Sequence, residues 1–156
     1  MRRKDREVTN TEEVLKIINK TKYLHLGIKD NVYPYIVPMH YGYTYENGKF
    51  TFYMHCAKEG YKLNLLKKDA HVSLELECEV EDVSGGDVPC RYGATFASFM
   101  GKGIAEIVED VDEKKHGLEV LMLHQTGQHF TMTEEMTKMV TVVKVIVQEY
   151  SAKARK

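Results

Sequence analysis

Asn47-Gly48 stands between two stretches that alternate apolar and polar residues, and this dipeptide is the strongest short-range signal for a tight β-hairpin. The chain before it must therefore return antiparallel after it. Before the turn, Tyr33, Tyr35, Val37, Met39, Tyr41, Tyr43 and Tyr45 share one phase, and Pro34, Ile36, Pro38, His40, Gly42 and Thr44 share the other. After it, Phe50, Phe52 and Met54 alternate with Thr51, Tyr53 and His55. Two prolines in the first stretch remove two ladder donors, which predicts an edge, a bulge or a break there. Such an edge is a place where a planar ligand can meet backbone groups.

The period of two recurs along the chain. Leu24, Leu26 and Ile28 alternate with Tyr23, His25 and Gly27; Val72, Leu74, Leu76, Cys78 and Val80 alternate with Ser73, Glu75, Glu77 and Glu79. With no histidine at matching spacing, that glutamate row reads as a wet strand face that protects an edge, and no metal is expected. Residues 92–109 are long for one strand and carry Gly93, Gly101 and Gly103, which predicts a bent strand or a pair curving around a barrel. Val140, Val142, Val143, Val145, Ile146 and Val147 predict a strand buried on nearly both faces.

Helix signals are fewer. Thr9 and Glu12 have capping-box spacing ahead of a helix to about Lys20, with Val14, Ile17 and Ile18 on one face. Asp110-Val111-Asp112-Glu113 starts a second helix that His124-Gln125-Thr126-Gly127 ends, and residues 133–139 allow a short third. Residues 81–91 read as an exposed loop. The count of about six strands and two clear helices predicts a mainly β, α+β domain built on a small antiparallel barrel. A chain of 156 residues fits a single domain over 1–156, with flexible ends near 1–8 and 151–156.

Composition limits the partners. A formal charge of −1 argues against nucleic-acid binding, and the apolar run at 139–147 is broken by Thr141 and Lys144 and too short for a membrane span. The charged N-terminus lacks the apolar stretch of a secretory signal, so a cytoplasmic location is expected. Cys56, Cys78 and Cys90 are unpatterned and read as reduced thiols.

The chemistry concentrates at 50–69. A strand ends at His55-Cys56-Ala57-Lys58-Glu59-Gly60, and Leu63, Leu65 and Leu66 give the following helix an apolar side. If that helix starts near Lys58, Lys58 and Lys62 share its other side and their ammonium groups converge. Unpaired N–H groups at a helix start, its dipole and two lysines suit an anion. Neither GxxxxGK[ST] nor GxGxxG occurs, and no GxSxG, HExxH or paired-carboxylate motif supports a hydrolase.

Met1-Arg2-Arg3-Lys4-Asp5-Arg6-Glu7, Tyr35-Ile36-Val37-Pro38, His55-Cys56-Ala57-Lys58-Glu59-Gly60-Tyr61-Lys62-Leu63 and Gly101-Lys102-Gly103-Ile104-Ala105-Glu106 together resemble the pyridoxamine 5'-phosphate oxidase-like superfamily, and within it the nitroimidazole-resistance branch. The resemblance implies a six-stranded antiparallel split β-barrel with Greek-key connections and flanking helices, a homodimer binding FMN at the subunit interface. It implies His55, Ala57, Lys58, Gly60 and Lys62 on the phosphate side and the backbone around Val37, Pro38 and Met39 against the isoalloxazine. Ser98, Phe99 and His124 would come from the second subunit.

The chain departs from the branch with His40-Tyr41-Gly42-Tyr43 in place of Asn-Phe-Gly-Tyr, and with Cys56 in place of serine. His40 and His55 are the candidate catalytic residues. The arginine-rich C-terminal segment of true pyridoxamine phosphate oxidation does not match, so that reaction is not expected. The resemblance implies an FMN-dependent reductase passing electrons from NAD(P)H to a small acceptor such as a nitroaromatic. The alternative is a non-catalytic protein storing FMN or haem, with His25, His40, His55 or His124 as an axial ligand.

Overall fold

The computed structural model describes residues 3–156; Met1 and Arg2, which open the family resemblance, lie outside the described residues. Seven strands form one antiparallel sheet: β1 (Tyr23–Ile28), β2 (Tyr35–His40), β3 (Gly42–Glu46), β4 (Lys49–Cys56), β5 (His71–Val83), β6 (Gly93–Ile107) and β7 (Thr141–Arg155), in the order β2-β1-β5-β6-β7-β4-β3. The two edge strands are consecutive in the chain, separated only by Tyr41, so the sheet curls on itself without closing: β2 and β3 do not pair. This is a split barrel. The long alternating stretch before Asn47-Gly48 is thus two strands, and treating them as one accounts for the expected count of six.

Tyr41 makes the break by turning inward: it is fully buried, and its hydroxyl donates to Ile18 O at 2.6 Å and meets Thr21 Oγ1. Asn47 and Gly48 take φ of 52° and 78°, the turn that pairs Tyr45 with Phe50. Inside the barrel, Phe50, Phe52, Phe99, Leu24, Leu26, Leu74 and Leu76 are buried, each contributing about 1.5–3 kcal/mol through removal from water.

Four helices surround the sheet: α1 (Thr11–Lys20), α2 (Tyr61–Lys68), α3 (Val111–Thr126) and α4 (Glu134–Thr137). Val14, Ile17 and Ile18 of α1 and Leu63, Leu65 and Leu66 of α2 join the main core. The link from β4 to β5 carries α2 past β1, the long return that a Greek key requires. α3 packs outside, over β3 and β4, where Leu118 meets Tyr53, Val108 and Val142. Gly42 permits that approach, because a Cβ there would lie 2.4 Å from Val120 O and 2.5 Å from the Leu121 backbone.

Several expectations change. The cap of α1 is Asn10, whose side chain accepts from Glu13 N at 3.1 Å, one residue later than the Thr9–Glu12 pair. Within residues 92–109 the chain forms one strand, β6, whose pairing with β7 shifts register between Lys102 and Gly103. The C-terminal residues, expected to fray, complete β7 as far as Arg155, with Ala152 paired to Phe99 and its carbonyl accepting from Val8 N at 3.0 Å. Nor is the glutamate row on an edge, because β5 lies between β1 and β6.

Candidate functional site

The corner at the end of β4 forms where strand, loop and helix meet. β4 stays paired with β7 through Cys56, opposite Thr141, and residues 57–60 then run exposed to the start of α2. Gly60 sits at φ +149°, a conformation that side-chain-bearing residues rarely adopt, and it is the N-cap of α2 with no side-chain hydrogen bond. No acidic residue lies in the first turn, and Lys67 and Lys68 stand in the last. The other three helices differ: Asn10, Asp110 and Thr133 cap them, and each carries two acidic residues in its first turn. Of the four, only α2 has neither a side-chain cap nor a first-turn acid, the nearest carboxylate in sequence being Glu59 just before the cap.

Lys58 and Lys62 flank that end without the spacing expected. α2 starts at Tyr61, so Lys58 belongs to the exposed loop and only Lys62 to the helix. The Lys62 ammonium is partly buried and reaches Met39 Sδ at 3.3 Å, which ties the corner to β2. For a phosphomonoester the donor set fits: free backbone N–H groups at the helix start, two ammonium groups, and no carboxylate in the first turn.

β2 supplies the neighbouring wall. It pairs only with β1, with Pro38 opposite His25 and His40 opposite Tyr23. Tyr35, Val37 and Met39 turn toward the core, leaving Ile36, Pro38 and His40 exposed. His55, at the end of β4, lies close enough to His40 and Lys62 to feel both. Partial desolvation, then those two neighbours, push its pKa below the ordinary value, so it is neutral near pH 7. Burial raises the Cys56 thiol, which argues against a reactive thiolate.

The residues expected from a second subunit are placed differently. Phe99 is fully buried, stacked on Tyr150 and edge-on to Phe50, so its side chain belongs to the core. Ser98, opposite Glu77 and Lys153, is half-buried. His124 is occupied within its own chain: its Nε2 lies 2.8 Å from Thr21 O, and its ring stacks on Tyr41 at 4.5 Å. Burial lowers its pKa. His25 is also engaged, 3.3 Å from Glu75 Oε2 across the β1–β5 pair. Of the four histidines considered as axial ligands, His40 and His55 remain exposed.

Two overlapping grooves of about 630 and 670 Å³, lined by none of residues 55–62, lie on the outer face of β2, β1, β5, β6 and β7. Ile36, Met100 and Tyr150, all exposed, line the first of them. The periodicity of single strands did not reveal this apolar face, because it is assembled from five strands spread along the chain.

The split barrel, with its seam between β2 and β3, defines the class of protein. The family model described as pyridoxamine 5'-phosphate oxidase matches residues 10–154, and the chain belongs to that family. Among solved structures, a candidate 5-nitroimidazole antibiotic resistance protein from Bacteroides thetaiotaomicron is 30% identical, with a TM-score of 0.79, covering 95% of this chain and 86% of that one. The flavocytochrome Anf3 from Azotobacter vinelandii shares the fold at 19% identity and a TM-score of 0.79, covering 100% of this chain and 72% of that one. An FAD- and haem-binding protein from Mycobacterium smegmatis does so at 14% identity and a TM-score of 0.80, covering 97% and 74%. No curated protein matches the chain. Among the described residues no helix is long and apolar enough to cross a membrane.

Proposed function

We propose that the protein is a cytoplasmic, homodimeric FMN-dependent reductase that passes electrons from NAD(P)H to a small acceptor such as a nitroaromatic. The observation that carries this reading is the uncapped, acid-free start of α2 between Lys58 and Lys62, beside the exposed edge of β2. Membership of the family and the likeness to the nitroimidazole-resistance protein support the choice of flavin and acceptor. A bound flavin supplies hydride and electron transfer.

The chain's own residues do the rest. Lys58, Lys62 and the N–H groups after Gly60 neutralise the phosphate; Ala57 and Gly60 keep the approach free of bulk. The outer edge of β2 at Val37, Pro38 and Met39 orients the ring. His40 and the neutral His55 stand where either can hold a proton for an acceptor. The apolar outer face around Ile36, Met100 and Tyr150 suits a second copy that closes the site against water, with Ser98 on the strand it would present. Phe99 and His124 are left out, because their side chains are committed to the interior and to Thr21.

The test is an absorption spectrum of the purified protein, repeated anaerobically after NADPH or NADH is added. Flavin bands that bleach support a reductase. A single intense Soret band would replace this reading with haem binding through His40 or His55, and a colourless protein that takes up no FMN would refute it.

A further inference from the structure

The sequence gives the glutamates of β5 no histidine, but the sheet supplies one. His25 on β1 is the Cα partner of Glu75 on β5, and Glu77, two residues on, faces the same side. One ligand atom from each of His25, Glu75 and Glu77 can be chosen so that all three lie within 4.8 Å of one another. We infer that His25, Glu75 and Glu77 form a binding site for a first-row divalent transition-metal ion such as Zn2+.

Three observations carry this, and none depends on the flavin reading. His25 Nδ1 and Glu75 Oε2 are 3.3 Å apart, long for a hydrogen bond to a carboxylate. Two donors each about 2.1 Å from a tetrahedral ion stand roughly 3.4 Å apart, so the gap suits a shared metal. Second, among the described residues neither Glu75 nor Glu77 forms an ion pair with a lysine or arginine: Lys20 meets Glu79, Lys102 meets Glu149, and Lys22, which lines a groove with His25 and Glu77, donates to His124 O. Third, β5 is covered by strands on both sides, so its acids are not needed to guard an edge.

Two acids facing one imidazole need a cation or a proton between them. One nitrogen and two carboxylate donors match the borderline ions from Mn2+ to Zn2+ and leave at least one coordination position for water. The site lies at the rim of the 630 Å³ groove, which His25 and Glu75 help to line.

The test is isothermal titration calorimetry of Zn2+ into the metal-stripped full chain near neutral pH, alongside E77Q and H25A, with Tm measured with and without Zn2+. Glu77 is exposed, so E77Q keeps the fold even if H25A does not. The wild type should bind one Zn2+ more per chain than either variant, or bind it at least about tenfold tighter. Zn2+ should raise the Tm of the wild type more than that of E77Q. Equal stoichiometry, affinity and Tm response in wild type and E77Q would overturn the site and leave a shared proton in its place, as would no Zn2+ binding at all.

Discussion

α2 and α3 both lie against the barrel, and they begin in opposite ways. α3 is closed at each end: the Asp110 side chain accepts from Glu113 N at 2.8 Å, Glu113 receives Lys144 at 2.6 Å, and Gly127 ends the helix with its N–H on Leu123 O. His124 meets Thr21 O, and Gln125 donates to Lys22 O and Tyr41 O at 2.7 and 2.8 Å. α2 begins at Gly60 with no side-chain cap and no acid. A helix whose polar ends are satisfied by its own chain contributes to stability; one left open to solvent among lysines is suited to an anion from outside. The two regions should therefore separate under mutation, with α3 governing stability and the α2 corner governing ligand affinity.

The largest effect expected is from Gly42→Ala, because the new Cβ would strike the α3 backbone at 2.4 to 2.5 Å. Denaturant unfolding should show a loss of about 3 kcal/mol. His124→Ala removes the stacking on Tyr41 and the contact with Thr21 O; a loss of about 2 kcal/mol is expected. FMN affinity of the folded protein should stay unchanged, and a collapse of FMN binding would return His124 to the flavin site. Asp110→Ala should cost about 1 kcal/mol through the lost cap and leave FMN binding intact.

The smallest effect is on pH dependence. His55 and His124 have folded pKa values below the ordinary 6.5, so each contributes stability while neutral and loses it as pH falls through 6.5 toward the folded value. The stability difference between wild type and His124→Ala should therefore shrink as pH is lowered from 7.5 to 5, which denaturant unfolding of the two at each pH would measure.

Much of this was readable from the chain because strand period and turn chemistry are local. Asn47-Gly48, the inward Leu24, Leu26 and Ile28, and the Asp110 start of α3 follow from neighbours in sequence. What failed depended on pairing between distant segments. Nothing near Ser151 signals that residues 151–155 would find a partner in β6, and nothing in the spacing of Glu75 and Glu77 points to His25, fifty residues away on β1. The anion corner was legible in composition but not in geometry: Gly60 delays the helix to Tyr61, which separates Lys58 from Lys62. Phe99 shows the same limit, since only the curled sheet decides which phase of β6 turns inward.

The most direct measurement is a paired titration of the cofactor-free protein with FMN and with riboflavin, followed by flavin fluorescence, in the wild type and in the Lys58→Ala/Lys62→Ala double variant. If the α2 corner holds the phosphate, the wild type should prefer FMN strongly, and the double variant should lose about a hundredfold in FMN affinity while its riboflavin affinity and Tm hold. Equal affinity of the wild type for FMN and riboflavin, or full FMN affinity in the double variant, would contradict the assignment of the corner.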